Sequence, residues 1–235
     1  MNSPVIVALD TVDMAWAKAM VRDLAPHIYA VKLGLEFFAA HGPQGVREVA
    51  SGGTPAFVDL KLHDIPTTVG KAVKALAPLN PAFLTVHASN DEDGLKAAVK
   101  ARDEAGMQTK LLAVTVLTTM DEGSLDRIGQ KGPVTAQVNR LARLAKDSGI
   151  DGIVCSPLEV AGLREALGPD IILVTPGVRP AGADMNDQKR VMTPSDAFNA
   201  GANFLVIGRP VTEAKNPVVA ARDIAQQIRA ECRFP

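Results

Sequence analysis

Hydrophobic residues in this chain form short runs, and each run precedes a longer segment with apolar residues at helical spacing. Because Val, Ile and Leu occupy both faces of most runs, the pattern predicts parallel strands covered by helices. The eight predicted strands are Val5–Leu9, Ala30–Leu33, Ala56–Leu62, Phe83–Val86, Lys110–Leu117, Gly152–Cys155, Ile171–Val174 and Phe204–Ile207.

The segments between these runs predict the helices. They are Met14–Leu24, Leu35–Ala40, Pro43–Ala50, Thr67–Leu76, Glu92–Ala105, Pro133–Asp147, Leu158–Leu167, Pro194–Asn199 and Val218–Ala230. Eight strand–helix units in 235 residues predict one α/β domain, a (β/α)8 TIM barrel over residues 1–235. A six-stranded doubly wound sheet is the alternative, but no Gly-x-Gly-x-x-Gly follows the first strand.

Composition and charge narrow the classes of function. Lys plus Arg total 25 and Asp plus Glu total 26, so there is no basic excess to attract nucleic acid or an anionic membrane. The two cysteines, Cys155 and Cys232, are too few for a disulfide scaffold and wrongly spaced for zinc. With no signal-peptide pattern and no apolar run of about 18 residues, we expect a cytoplasmic protein.

Charged residues lie within or at the ends of the first three predicted strands: Asp10, Lys32, Asp59 and Lys61. The active site of such a barrel lies at the C-terminal ends of its strands. Asp59 and Lys61 are two positions apart and therefore share a face, which we expect to be the barrel interior. A structural ion pair is the alternative reading, but four alternating charges at one rim favour a reaction centre.

Three further polar residues follow the third and fourth strands. Asp64 lies beyond its strand, just before Ile65-Pro66, so its side chain is free to face a neighbouring subunit. His63 and His87 are weaker candidates, because each fits equally well as an ordinary hydrogen-bonded histidine. Their roles stay open at this point.

The end of the chain carries a candidate phosphate site. Gly208 and Arg209 follow the eighth strand and precede a helix start, where backbone N–H groups bind anions. Arg179 and Gln188 lie in Thr175–Met192, the longest stretch without clear periodicity, which predicts a functional loop. The alternative for Gly208-Arg209 is a plain turn with a solvated arginine.

Taken together, these residues resemble the orotidine 5′-phosphate decarboxylase family. The Asp-x-Lys-x-x-Asp pattern stands here as Asp59-Leu-Lys61-Leu-His-Asp64. The other matching motifs are Val7-Ala-Leu-Asp10, Val31-Lys32-Leu-Gly34, Val116-Leu-Thr118, Thr175-Pro-Gly-Val-Arg179-Pro180, Asp187-Gln188 and Ile207-Gly208-Arg209-Pro210. These six motifs and the Asp-x-Lys-x-x-Asp pattern occur in order along the whole chain, which makes the resemblance specific.

The resemblance implies a role for each matched residue in the conversion of orotidine 5′-monophosphate to uridine 5′-monophosphate (UMP). Lys61 would donate a proton to C6 of the pyrimidine, beside Asp59 and Lys32, and Asp64 would reach the partner's site in a homodimer. The implied substrate-binding residues are Asp10 and Thr68 for the ribose, Thr118 for the substrate more generally, and Gln188, Gly208, Arg209 and Arg179 for the phosphate. Thr119 is the alternative to Thr118. No metal and no cofactor is implied.

Three other functions remain as alternatives. A 3-keto-gulonate 6-phosphate decarboxylase shares the barrel and the Asp-x-Lys-x-x-Asp core but requires Mg²⁺. A phosphosugar isomerase or epimerase shares the phosphate site but does not require Lys61 beside Asp59. A barrel that binds nucleotides without catalysis would not need four buried charges.

Overall fold

The computed structural model describes residues 3–130, 132–179 and 192–232. Eight parallel strands close into a barrel in chain order, because the first strand pairs with both the second and the eighth. The strands are β1 Val5–Leu9, β2 Ala30–Leu33, β3 Ala56–Leu62, β4 Phe83–His87, β5 Lys110–Val114, β6 Gly152–Val154, β7 Ile172–Thr175 and β8 Phe204–Ile207. The predicted (β/α)8 TIM barrel is therefore confirmed.

Helices follow the strands and cover the outside of the barrel. They are α1 Met14–Leu24, α2 Leu35–Ala50, α3 Pro66–Ala75, α4 Asp91–Glu104, α5 Glu122–Arg127, α6 Val134–Asp147, α7 Val160–Leu167, α8 Pro194–Asn199, α9 Arg209–Thr212 and α10 Pro217–Glu231. Gly42, with φ of 58°, breaks α2 between the two segments that the sequence predicts. Within the described residues, none of these helices has both the length and the apolar character needed to span a membrane.

Side chains alternate between two cores along the strands. The inner core fills the barrel with Ile6, Ala8, Ala30, Phe57, Phe83, Leu112, Val174 and Val206. Neighbouring positions, such as Val7, Val58 and Leu84, join the larger core between strands and helices. This alternation decides which side chains reach the interior, and at the C-terminal end of β3 it selects Asp59.

Aromatic rings fill the N-terminal end of the barrel. Tyr29, Phe83 and Phe204 each stand at or next to the start of a strand, and their ring centroids lie 4.5 to 5.8 Å apart. Such offset ring contacts stabilise the packing beyond the apolar area they bury. Because the barrel is packed at this end, the polar groups of the interior gather at the other end.

Candidate active site

The C-terminal ends of the strands enclose a cavity of about 730 Å³, within the range that small-molecule sites occupy. Its polar side consists of Asp10, Lys32, Asp59 and Lys61, which come from β1 to β3. The opposite wall is largely apolar and comes from the ends of β5 and β6 and the residues directly after them, with Val114, Val116, Leu117, Val154 and Cys155. The cavity therefore offers charge to one side of a bound molecule and an apolar surface to the other.

The four charged residues form one continuous chain of contacts. Lys32 Nζ lies 3.4 Å from Asp10 Oδ1 and 3.6 Å from Asp59 Oδ2. Lys61 Nζ donates to Asp59 Oδ1 at 2.9 Å. The two cations and two carboxylates sum to zero, which reduces the cost of holding them inside the barrel. The contact between Asp59 and Lys61 agrees with the shared face predicted from their spacing.

Asp59 has the most unusual environment of the four, since only 8% of its surface is exposed. Burial raises the pKa of this carboxyl, but nearby Lys32 and Lys61, together with hydrogen bonds from Lys61 and Thr85, outweigh burial and hold the pKa below its ordinary value. Asp59 is therefore a carboxylate at neutral pH. A fixed negative charge at the edge of the cavity can repel a substrate carboxylate placed beside it.

Two residues of the fourth strand–helix unit support the charged run, and neither was predicted from the sequence. Thr85, on β4, is fully buried and donates its hydroxyl proton to Asp59 Oδ1 at 3.0 Å. Asn90, in the turn before α4, donates to Leu62 O at 2.6 Å and to His87 O at 2.9 Å. Its Oδ1 accepts the Asp64 N–H at 3.1 Å. Nothing in the sequence pattern distinguishes these two residues from an ordinary strand residue and an ordinary turn residue.

Asp64 and Thr68 lie apart from the cavity formed by the described residues of their own chain. Both side chains are exposed, and Asp64 Oδ1 accepts the N–H of Ile65 at 2.7 Å. Ile65 itself is 67% exposed. The β3–α3 connection thus presents a carboxylate, an apolar side chain and a hydroxyl to the outside.

The two histidines of uncertain role lie against each other beside this connection. The rings of His63 and His87 stack with centroids 5.3 Å apart. Burial, then the proximity of His63 and of Lys61, lowers the pKa of His87. His87 Nδ1 accepts the Ser89 N–H at 3.2 Å, which places the proton of a neutral ring on Nε2. Neither ring lines the cavity as the described residues form it.

The predicted anion-binding residues lie at the β7 and β8 side of the cavity. Gly208 and Arg209 line it, and Arg209 begins α9. Arg179 also lines it, is almost fully buried, and donates its backbone N–H to Met192 O at 3.0 Å. Gln188 lies outside the described residues. The two arginines are thus on the far side of the cavity from β3.

Thr118 and Thr119 both line the cavity on the loop after β5. Thr118 is half-buried and Thr119 is exposed. Thr118 is thus the more enclosed of the two threonines.

The glycine of the motif Val31-Lys32-Leu-Gly34 lies close to the charged residues. A Cβ at position 34 would lie 3.3 Å from Lys32 Nζ and crowd the ammonium group.

The fold and the cavity together define a (β/α)8-barrel enzyme with a buried charged network on one side of its cavity and two arginines on the other. Residues 3–224 match the model of the orotidine 5′-phosphate decarboxylase / HUMPS family. The chain belongs to this family.

Similar proteins carry the same description. The chain is 51% identical to an orotidine 5′-phosphate decarboxylase of Anaeromyxobacter sp. (strain K), over 94% of this chain and 96% of that protein. It is 48% identical to one of Thermobifida fusca, over 97% of each chain. The crystal structure of orotidine 5′-phosphate decarboxylase from Lactobacillus acidophilus superposes with a TM-score of 0.86 at 39% identity, covering 97% of this chain and 99% of that one.

Proposed function

We propose that this chain is a carbon–carbon lyase that decarboxylates orotidine 5′-monophosphate to UMP and CO2, the last step of UMP synthesis. The observation that carries the proposal is the contact chain from Asp10 through Lys32 and Asp59 to Lys61 inside the cavity. The relatives described as orotidine 5′-phosphate decarboxylases, which match nearly the whole chain, support it.

The distribution of charge around the cavity gives the orientation of the substrate. The phosphate binds at Gly208 and Arg209, which both line the cavity, with Arg179 and Gln188 from the preceding loop. Asp10 accepts hydrogen bonds from the ribose hydroxyls. The pyrimidine lies against the apolar wall near Thr118, and its carboxylate is next to Asp59.

Decarboxylation breaks the bond between C6 and the carboxylate carbon, and the electron pair stays on C6. Repulsion between Asp59 and the substrate carboxylate at about 4 Å amounts to about 4 kcal/mol at an effective dielectric near 20. Enzymes lower barriers by about 8–23 kcal/mol, so repulsion alone is insufficient. The Lys61 ammonium, held 2.9 Å from Asp59, stabilises the developing carbanion and then transfers a proton to C6. Part of the remaining reduction of the barrier comes from binding of the distant phosphate group.

Asp64 and Thr68 act in this proposal across a homodimer. Both are exposed and lie outside the cavity that the described residues of their own chain form. Exposed apolar side chains on the same end of the barrel, among them Val12, Leu35 and Ile65, would be covered by a second copy. Asp64 then joins the charged centre of the partner, and Thr68 binds the ribose there. Cys155 and Cys232 are both buried and form no disulfide among the described residues, which fits a reducing, cytoplasmic location.

The function is tested by following the absorbance of orotidine 5′-monophosphate and the release of CO2 in the presence of EDTA. We expect one CO2 for each UMP formed, at a rate that EDTA and added Mg²⁺ do not change. Turnover of 3-keto-gulonate 6-phosphate that requires Mg²⁺, with no UMP formed, would instead identify the metal-dependent decarboxylase.

The dimer is tested by complementation between two inactive chains, Lys61→Met and Asp64→Asn. If Asp64 acts in the partner's site, the mixed dimer contains one site with both native residues and regains activity. If Asp64 acts in its own chain, both sites of the mixed dimer remain defective. Two different affinity tags isolate the mixed dimer for this comparison.

A further inference from the structure

The pairing of β3 with β4 is interrupted at the charged residues. Val58 pairs with Leu84 and Leu62 pairs with Val86, so Asp59, Leu60 and Lys61 lie opposite Thr85 alone. Two extra residues are thus accommodated in β3, and Lys61 adopts a φ of 51°, in the left-handed region that a lysine rarely occupies. Backbone in this region persists only where its surroundings hold it.

The Thr85 hydroxyl takes the place of the missing ladder hydrogen bond. Its Oγ1 accepts the backbone N–H of Lys61 at 2.8 Å. A backbone N–H can only donate, so the single hydroxyl proton of Thr85 is directed at Asp59 Oδ1, 3.0 Å away. The same carboxylate oxygen receives the Lys61 ammonium at 2.9 Å. One buried hydroxyl therefore fixes both the backbone of Lys61 and the carboxylate that orients its ammonium group.

We propose that Thr85 is a positioning residue for the decarboxylation, which holds Asp59 and Lys61 in reactive geometry from behind the cavity. The proposal rests on the proposed function of this site. Thr85 does not line the cavity, so it acts through these two residues and not through the substrate. Its methyl group contributes shape, and its hydroxyl contributes the two hydrogen bonds.

The test replaces Thr85 with Val, which keeps the shape and removes the hydroxyl. We expect kcat to fall by about 10- to 100-fold, since a misplacement on the order of 1 Å can cost about 100-fold. KM should change by less than about threefold, because the phosphate-binding residues lie on the opposite side of the cavity. The acidic limb of the pH profile of kcat/KM should move to higher pH, because Asp59 loses a hydrogen-bond donor to its carboxylate.

Two further variants separate positioning from stability. Thr85→Ser retains the hydroxyl and should restore most of kcat and the native pH profile. Thr109→Val removes another buried threonine hydroxyl, which donates to Pro81 O at 2.7 Å at the N-terminal end of the barrel. Its kcat and pH profile should stay native even if its melting temperature falls. Native kcat in Thr85→Val, equal loss in Thr85→Ser, or equal loss in Thr109→Val would each overturn the proposal.

A measurement without turnover separates this proposal from the proposed function. The carboxyl carbon of Asp59, assigned by comparison with Asp59→Asn, is titrated by ¹³C NMR in the native protein and in Thr85→Val. A midpoint that rises in Thr85→Val supports positioning even if the native protein fails to decarboxylate orotidine 5′-monophosphate. If the native protein is active and the midpoint in Thr85→Val equals the native midpoint, the positioning role of Thr85 is contradicted while the proposed function stands. If Thr85→Val does not fold, Thr85→Ala is measured in the same way.

Discussion

Replacement of Lys61 with Met removes the cation at the centre of the proposed reaction while keeping much of the apolar stem. A unit charge about 3 Å from a developing carbanion contributes about 5–6 kcal/mol at an effective dielectric near 20. At 1.36 kcal/mol per tenfold in rate, this is about four decades of kcat. The loss of a proton donor acts on the same step, so we expect kcat to fall by at least about 10⁴-fold.

The fold should survive this change, because Asp59 keeps Lys32 at 3.6 Å and the Thr85 hydroxyl at 3.0 Å. Circular dichroism and calorimetric binding of UMP check this, with decarboxylation followed by absorbance. The matched control is Lys110→Met, because Lys110 is also paired with a carboxylate, Asp151 at 3.1 Å, but at the N-terminal end of β5. Lys110→Met should keep native kcat. A kcat for Lys61→Met within about 100-fold of native would refute the assigned role of Lys61.

Three other changes test separate parts of the site. Arg209→Ala should raise KM for orotidine 5′-monophosphate by about 10- to 100-fold, as expected for a lost charge-assisted hydrogen bond. It should leave the slow decarboxylation of orotidine, which has no phosphate, unchanged. Equal effects on both compounds would exclude a contact between Arg209 and the phosphate. Asn90→Leu leaves three partly buried backbone groups without their side-chain partner and should lower the free energy of unfolding in urea by about 1–3 kcal/mol, together with kcat. Unchanged values for both would contradict the role of Asn90 in holding the β3–α3 connection. The folded-state pKa of Asp59 lies below its ordinary value of 3.8, so its charge stabilises the fold above that pH, and this contribution is lost as the pH falls through the lower folded pKa. The urea midpoint of Asp59→Asn should therefore fall less steeply with decreasing pH than the native midpoint. Equal slopes would contradict the assigned pKa direction.

The strands were predictable because the barrel buries both faces of each one. The predicted bounds of β1, β2, β3 and β8 agree with the structure residue for residue. β5 ends at Val114, three residues before its predicted end, and Val116 and Leu117 line the cavity instead of continuing the strand. The six-residue helix α5 was not predicted from the sequence, whereas a helix start at the position of the four-residue α9 was expected directly after Gly208-Arg209.

The charged residues of the site could be predicted from the sequence, but the residues that hold them in place could not. Asp59 and Lys61 interrupt an apolar run. Because burying a charge in a barrel interior costs free energy, charges at these positions indicate a functional role. Thr85 is a β-branched residue in a strand, where it is common, so its sequence context carries no sign of a role. The left-handed backbone of Lys61 and the register shift beside it depend on pairing between two strands, which one strand's sequence does not specify.

The most direct test of the account is the reaction of the native protein with orotidine 5′-monophosphate in D2O containing EDTA, followed by NMR. If Lys61 protonates C6 after CO2 leaves, the product is UMP with deuterium at C6, formed with one equivalent of CO2. No UMP, or UMP formed only after Mg²⁺ is supplied, would contradict the account.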